Sequence, residues 1–328
     1  MSEITPPDRP YKPVDNTGIP LNFWAKLFLN RHPKYWLLGL VLVLCRLLAL
    51  LPYSLLLFVG SLFGRLCELL SVRLRHIVRS NIELCYPQLP QGARAALGRA
   101  CFKELGITLA ETLNAWFSNP AKFWRRVELE GDENWQRALA SDRGIIMLSC
   151  HYGSLDLNAA LAGFLARRDR IFAFTYRQPS DAIVDQFLHA ARRDYGDHFY
   201  SVRNLVGITR TLKKKGVVWY APDIEVKNKN TVFADFMGVP ASTTIAVSRL
   251  AAATGALVVP FGHYRNSYNK RYTLKIYSPL ENFPSDDPLA DTRRMNKAIE
   301  RIIEPYPERY WWVIKRFKNR PEGAKRVY

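Results

Sequence analysis

The stretch Gly144–Asn158, GIIMLSCHYGSLDLN, decides how this chain is read. Its first half, GIIMLSC (144–150), is a short apolar run, the pattern of a buried strand. The run stops at His151, and Gly153 and Ser154 follow. Ser154 is a good helix N-cap, which starts a helix at Leu155 and leaves Asp156 in its first turn, where the helix dipole favours a carboxylate. The unit is therefore strand, turn, helix. It recurs downstream: RIFAFTY, GVVWYAPD and ALVVPFGHYR are short runs rich in β-branched or aromatic residues. Amphipathic segments near 154–166, 181–194, 203–214 and 243–254 separate them. Strands alternating with helices of this length predict an α/β fold with a mixed, mainly parallel central sheet flanked by helices. YTLKIYSPL is expected to pair antiparallel with the strand before it through the polar turn RNSYNKR. A last helix near 288–304 leads into the aromatic and basic tail YWWVIKRFKNRPEG.

Upstream of this region the texture differs. Residues 65–130 show apolar positions every three or four residues, as in LGRACFKELGITLAETLNAWF, and little strand character. Before them lies the apolar stretch from Tyr35 to Gly64. It begins too late and runs too long for a secretory signal. It exceeds the roughly 20 residues that cross a bilayer as a helix, yet Arg46 and Pro52 interrupt it. Two readings stay open: one tilted membrane helix with Arg46 snorkelling, or a shallow helical hairpin. Lys26, Arg31 and Lys34 precede it and Arg65, Arg73, Arg75 and Arg79 follow, so a hairpin would set all of them against one anionic leaflet. Residues 1–20 are polar and Pro-rich. The expected plan is a polar, basic segment over 1–34, a membrane anchor over 35–64 and a catalytic domain over 65–328, helical to 140 and α/β from 141.

Composition narrows the class of partner. With 328 residues, 48% of them apolar and 23% charged, the chain is neither disordered nor too small for a sizeable core. A net charge of +18 and a pI near 9.8 favour anionic partners, whether nucleic acid, acidic headgroups or an acidic protein. The five cysteines (Cys45, Cys67, Cys85, Cys101, Cys150) are odd in number and form no CxxC pair, which argues against a disulfide framework or a zinc site.

His151 and Asp156 are the candidate catalytic pair. On a continuous helix, residues five apart are rotated by about 140° and do not face each other. A bend at Gly153 can bring them together, so that the carboxylate holds one imidazole nitrogen while the other takes a proton from an attacking hydroxyl. On spacing alone, a histidine satisfied by backbone and a helix-terminal charge remain the alternative. A Cys150–His151 pair is disfavoured, because adjacent strand residues point to opposite faces. Arg177, after the second strand, and Asp223, after GVVWYAP, place ionisable groups at further strand ends, the edge where open α/β sheets carry their sites. Arg177 suits a phosphate or carboxylate, or else a structural ion pair; Asp223 suits a polar headgroup or an ordering role. The run KNKN at 227–230 and Arg249, Arg316 and Arg320 are weaker phosphate candidates.

Taken together, these blocks resemble a known family. HYGSLD looks like the H-x(4)-[DE] box of glycerolipid and lipid A acyltransferases. The apolar anchor, SNIELCYP, ETLNAWF, YRQP, VVWYAPD, VSRLAAATGALVVPF and RYWWVIKRFKNRPEG are similar to the late (secondary) acyltransferases of lipid A biosynthesis. The resemblance covers nearly the whole chain. It implies transfer of a fatty acyl group from acyl carrier protein to a hydroxyl on a hydroxyacyl chain of a Kdo-bearing lipid A precursor, at the cytoplasmic face of the inner membrane. It further implies His151 as base, Asp156 as its partner, and Arg177 and Asp223 as motif residues that bind substrate. The implied partners are acyl carrier protein, an anionic glycolipid and inner-membrane lipid, with no nucleic acid, metal or cofactor. Many members carry glutamate where this chain has Asp156. A glycerophospholipid, ornithine lipid or other glycolipid acceptor is the alternative within the same chemistry. A non-catalytic basic membrane-tethered protein would explain charge and anchor but not the pair at a strand end.

Overall fold

The structure is a computed structural model, and it describes residues 19, 21–118, 124, 127–226, 230–266 and 271–328. Among the described residues five helices come first: α1 (Leu21–Phe28), α2 (Pro33–Ala49), α3 (Tyr53–Leu70), α4 (Val72–Cys85) and α5 (Gln91–Phe117). The apolar run is thus two helices. Pro52 has no amide hydrogen to continue the ladder and biases Leu51 away from the α region, so α2 ends and α3 starts around it. A single continuous span is thereby replaced by two consecutive helices, and the second extends to Leu70. By length and composition α3 is long and apolar enough to cross a membrane. Most of its apolar side chains are exposed, as are those of α2: Leu37, Leu40, Leu44, Phe58, Leu62 and Leu69 all face outward.

The buried side of α3 lies along α5, where three glycines let two backbones touch. A Cβ at Gly106 would overlap the Gly60 carbonyl and the Gly64 backbone, and one at Gly64 would overlap the Phe102 carbonyl. Backbone atoms cannot swing aside, so Gly106→Val is expected to cost about 3 kcal/mol or more through overpacking. Gly98→Ala on the same helix, whose Cβ meets only side chains at 3.8 Å, should leave stability unchanged or raise it by up to about 1 kcal/mol. Thermal unfolding of both variants checks this.

From residue 127 the chain alternates strands and helices: β1 (Val127–Glu130), α6 (Asp132–Ala140), β2 (Ile145–Leu148), α7 (Leu155–Ala166), β3 (Phe172–Tyr176), α8 (Ala182–Arg192), β4 (His198–Ser201), α9 (Leu205–Lys213) and β5 (Val217–Tyr220). A hairpin, β6 (Thr231–Phe236) and β7 (Val239–Thr244), precedes α10 (Ala246–Thr254), β8 (Leu257–Arg265), β9 (Tyr272–Ile276), α11 (Pro288–Ile303) and a short 3-10 turn at Pro307–Arg309. Seven strands form one sheet in the order β1-β9-β8-β2-β5-β3-β4. It is parallel except between β8 and β9, which pair antiparallel as their sequence suggests; the tip of their connection, 267–270, lies outside the described residues.

The central strands β8, β2, β5 and β3 are buried on both faces because helices cover both. Ile146 and Leu148 of β2 join a core with Leu212 of α9, Val247 of α10 and Ile299 of α11. Ile145 and Met147, pointing the other way, join one with Trp135 of α6 and Leu161 of α7. Period-two alternation within an all-apolar strand thus feeds two separate cores. The consequence for function lies at one edge. Strands β2, β5 and β3 are parallel neighbours, so His151, Asp223 and Arg177, each just beyond its strand, emerge on the same side of the sheet.

Candidate active site

His151 is delivered by β2 and almost covered, with its side chain 12% exposed. Its neighbour across the edge is the segment after β5: Ser149 donates to the Tyr220 carbonyl at 2.9 Å, and three residues later Asp223 turns inward. The Asp223 carboxylate is fully buried. One oxygen lies 2.8 Å from His151 Nδ1 and the other accepts the His151 backbone N–H at 2.9 Å. Burial pushes the Asp223 carboxyl up, but the His151 side chain, these two hydrogen bonds and the Arg316 charge outweigh it and hold it below the ordinary carboxylate value. An ionised carboxylate accepts only, so the proton between the pair sits on Nδ1 and Nε2 carries the lone pair.

The pairing of His151 with Asp156 expected from spacing is not formed. Gly153 does make the bend, with φ +52 in the left-handed region, and Ser154 does cap α7, accepting from Leu157 N–H at 3.2 Å. The bend turns Asp156 toward α5 and α8. There Arg192 grips both carboxylate oxygens, Nε to Oδ1 at 2.6 Å and Nη2 to Oδ2 at 3.0 Å, and Trp116 Nε1 donates to Oδ1 at 2.7 Å. A two-pronged guanidinium is a stronger partner than one imidazole nitrogen. Burial lowers the Arg192 pKa, yet Asp156 more than restores it, and the guanidinium stays charged with Phe174 and Phe199 flanking it. The turn therefore carries two separate acid–base pairs, His151–Asp223 and Arg192–Asp156.

Sequence reasoning passed over Arg192 and Trp116. Their signals were faint: an arginine in the last turn of an amphipathic helix, and a tryptophan among apolar helix residues. In the tail it offered only Arg316 and Arg320, as phosphate candidates, and did not foresee that the tail clamps the turn after β2. Gly153 N–H donates to the Arg309 carbonyl, Trp311 N–H donates to the His151 carbonyl, both at 2.9 Å, and Tyr152 bridges Tyr310. Trp311 Nε1 donates to the Gly153 carbonyl at 3.0 Å, and its ring stands edge-on to the His151 ring at 5.5 Å.

Other expected residues fall elsewhere. Arg177 is exposed at the rim. Arg316 is buried, not a surface phosphate ligand: it donates to the Ser242 carbonyl at 2.8 Å and to Thr243 Oγ1 at 2.6 Å. Arg320 donates to the Pro240 carbonyl and Arg249 to Asn230 Oδ1. Of the KNKN run, 227–229 lies outside the described residues.

A second histidine backs the turn. His263 of β8 is buried behind Gly153, where a Cβ would come within 3.0 Å of its Nε2; its Nδ1 lies 2.7 Å from Asn158 Nδ2, whose Oδ1 accepts from Trp219 Nε1 at 2.5 Å. Burial, with the Arg309 and Arg265 charges, pushes His263 from 6.5 down to about 3, so it stays neutral. Between those values the unfolded chain binds a proton that the folded chain does not. Stability is therefore expected to fall as pH drops below about 6.5, by up to roughly 1.4 kcal/mol per pH unit from this group. Unfolding measured at pH 7 and pH 5 should show His263→Gln losing about 2 kcal/mol less than the parent over that step; equal losses would contradict the assignment.

Beside it a buried charge network joins the helical part to the sheet. Arg265 donates to Glu111 at 2.9 Å and Glu104 at 2.5 Å, Tyr272 OH donates to Glu111 at 2.6 Å, and Tyr53 at the start of α3 hydrogen-bonds Tyr272. The site's frame is thus tied to the first turn of the apolar helix α3.

The sequence over residues 26–319 matches the family described as bacterial lipid A biosynthesis acyltransferase. Among related proteins, a lipid A biosynthesis lauroyltransferase of Escherichia coli (strain K12) is 33% identical over 298 residues, 90% of this chain and 96% of its own. A lipid A biosynthesis palmitoleoyltransferase of the same strain is 32% identical over 298 residues, with the same two shares, 90% and 96%. A lipid A biosynthesis myristoyltransferase, also from that strain, is 25% identical over 303 residues, 91% of this chain and 92% of its own. Of solved structures, a 1-acyl-sn-glycerophosphate acyltransferase from Thermotoga maritima aligns with TM-score 0.35 and 21% identity over 60% of this chain and 82% of that one.

Proposed function

The chain belongs to the bacterial lipid A biosynthesis acyltransferase family and is an acyltransferase; from that premise we propose that it moves a fatty acyl group from acyl carrier protein to a hydroxyl on a hydroxyacyl chain of a Kdo-bearing lipid A precursor. The observation that carries the mechanism is His151 at the strand-end edge with Nδ1 held by the buried carboxylate of Asp223. In this reading His151 Nε2 takes the acceptor's O–H proton as that oxygen attacks the thioester carbonyl carbon. The tetrahedral intermediate collapses with cleavage of the C–S bond, and the imidazolium returns the proton to the departing thiolate. The thioester is already activated, so the step needs neither ATP nor a cofactor. Asp223 fixes the tautomer and offsets the imidazolium charge. Asp156, gripped by Arg192, holds the first turn of α7 and with it the bend that presents His151. Arg177, exposed on the same edge, is assigned to an acidic group of the acceptor.

The outward apolar faces of α2 and α3 support a position at the membrane, where an amphiphilic acceptor partitions, and the net charge of +18 suits an acidic carrier protein and an anionic acceptor. We place the catalytic part at the cytoplasmic face of the inner membrane. The test is to give purified protein an acyl carrier thioester with a Kdo-bearing lipid A precursor, a glycerophospholipid or an ornithine lipid, and to weigh the products. An acyl-sized mass gain on the saccharide acceptor, with fragmentation placing it on a hydroxyacyl chain, is expected. Preference for a non-saccharide acceptor would overturn the assignment.

A further inference from the structure

A cleft of about 470 Å³ lies between the C-terminal turns of α3 and the first half of α5, lined by Arg65, Glu68, Leu69, Arg99, Ala100 and Lys103. Three cations and one carboxylate line it. Among the described residues none of the three, all exposed, makes an ion pair, so their donors are open to an anion from outside the chain. Such an arrangement is stabilised by an anion that three donors can share. Leu69 and Ala100 line the cleft too, and Leu69 is 73% exposed beside Leu70 and Leu66 on the outward face of α3. Arg75 caps the end of α3 by donating to the Glu68 and Leu69 carbonyls, which closes the helix's partial negative end at the mouth. Cations beside apolar side chains, continuous with an apolar helix face, fit an amphiphile with an anionic head. Lys103 lies roughly 20 Å along the α5 axis from Trp116, which holds Asp156, so the cleft is separate from the acyl-transfer centre.

We propose that this cleft binds the phosphate head of an anionic phospholipid of the surrounding bilayer. Arg65, Arg99 and Lys103 contact the phosphate oxygens, while Leu69 and Ala100 meet the first carbons of the chains. The bound lipid fixes the depth of α3 and, through the α3–α5 glycine contact, the orientation of α5. The proposal rests on the membrane position given above.

The test titrates the full chain in neutral detergent with dihexanoyl phosphatidylglycerol, dihexanoyl phosphatidylcholine, inorganic phosphate or acyl carrier protein, followed by calorimetry. Saturable binding of the phosphatidylglycerol is expected, weakened at least tenfold in Arg65→Gln/Arg99→Gln/Lys103→Gln. Arg65→Lys/Arg99→Lys, and the equally neutralised Arg210→Gln/Lys213→Gln/Lys214→Gln on α9, should both retain it. Equal affinity of the triple cleft variant, equal affinity for phosphatidylcholine, inorganic phosphate binding as tightly as the lipid, or loss of carrier-protein binding alone would each overturn the proposal. If the chain does not float with vesicles, the membrane position fails, and that outcome is read separately from the titration.

Discussion

His151→Ala is expected to lower kcat for acyl transfer by about 10²–10⁴-fold, the usual contribution of a positioned general base, while the protein still folds, at a cost of about 1–3 kcal/mol for the buried carboxylate that loses a partner. The cost stays within that range because the carboxylate left behind still accepts the backbone N–H of residue 151. Asp223→Asn should act through His151. The amide keeps the shape but can present its N–H₂ to Nδ1, which favours the tautomer with the proton on Nε2 and removes the lone pair the reaction uses. A loss of the same order as for His151→Ala is expected, and the double variant should be little worse than either single one, since the two act as a unit. The Asp223 carboxyl is held below its ordinary value, so the stability it contributes is present above the normal carboxylate range. That contribution is lost only as pH falls through its lowered folded value.

The second large effect concerns stability. Asp156 and Arg192 are both largely buried, and removing either leaves the other as an uncompensated buried charge. Arg192→Leu and Asp156→Leu should each cost about 3–5 kcal/mol. The double replacement Asp156→Leu/Arg192→Met should recover much of that, because taking out a whole buried ion pair is often close to neutral. Denaturant unfolding of the three variants measures it. Additive losses in the double variant would show that the two residues are not a pair. The result also separates two roles: if Asp156 oriented His151 directly, Arg192→Leu would leave turnover intact, whereas an Asp156 anchored by Arg192 loses turnover together with stability.

Why the partner of His151 was misread follows from where information lies in a chain. The elements were legible because each is written in local periodicity: the apolar run Ile145–Leu148 reads as a buried strand, Ser154 as a cap, and the spacing near 181–194 as the helix Ala182–Arg192. That three strand ends carry ionisable groups on one edge was also legible, since parallel strands must all end on the same side. Strand order was not. Residue 151 meets residue 223, 72 positions away, only because β5 rather than β3 lies beside β2, and nothing local dictates that choice. Asp156, five residues away, was the nearer candidate by sequence. Its true partners stand 36 and 40 positions off on helices whose packing angle the sequence does not state. The contact of Trp311 with Gly153 spans 158 positions and depends on the tail folding back over the turn. Arg316, read as a surface cation, shows the same limit: charge alone does not tell a buried clamp on β7 from a phosphate ligand.

The aspartate at position 156 also has a physical role. Asp156 is short, yet it reaches Arg192 at 2.6 Å because α8 brings the guanidinium in over Phe174 and Phe199. Its job in this account is to hold the turn rather than to touch the imidazole.

The most direct test of the account is the turnover of Asp223→Asn, measured with an acyl carrier thioester and a Kdo-bearing lipid A precursor at a temperature where the variant is fully folded. A fall in kcat of about 10²–10⁴-fold with little change in KM is predicted, because Asp223 acts through the base and not on ground-state binding. A kcat within about threefold of the parent would contradict the assignment of Asp223 as the residue that orients His151.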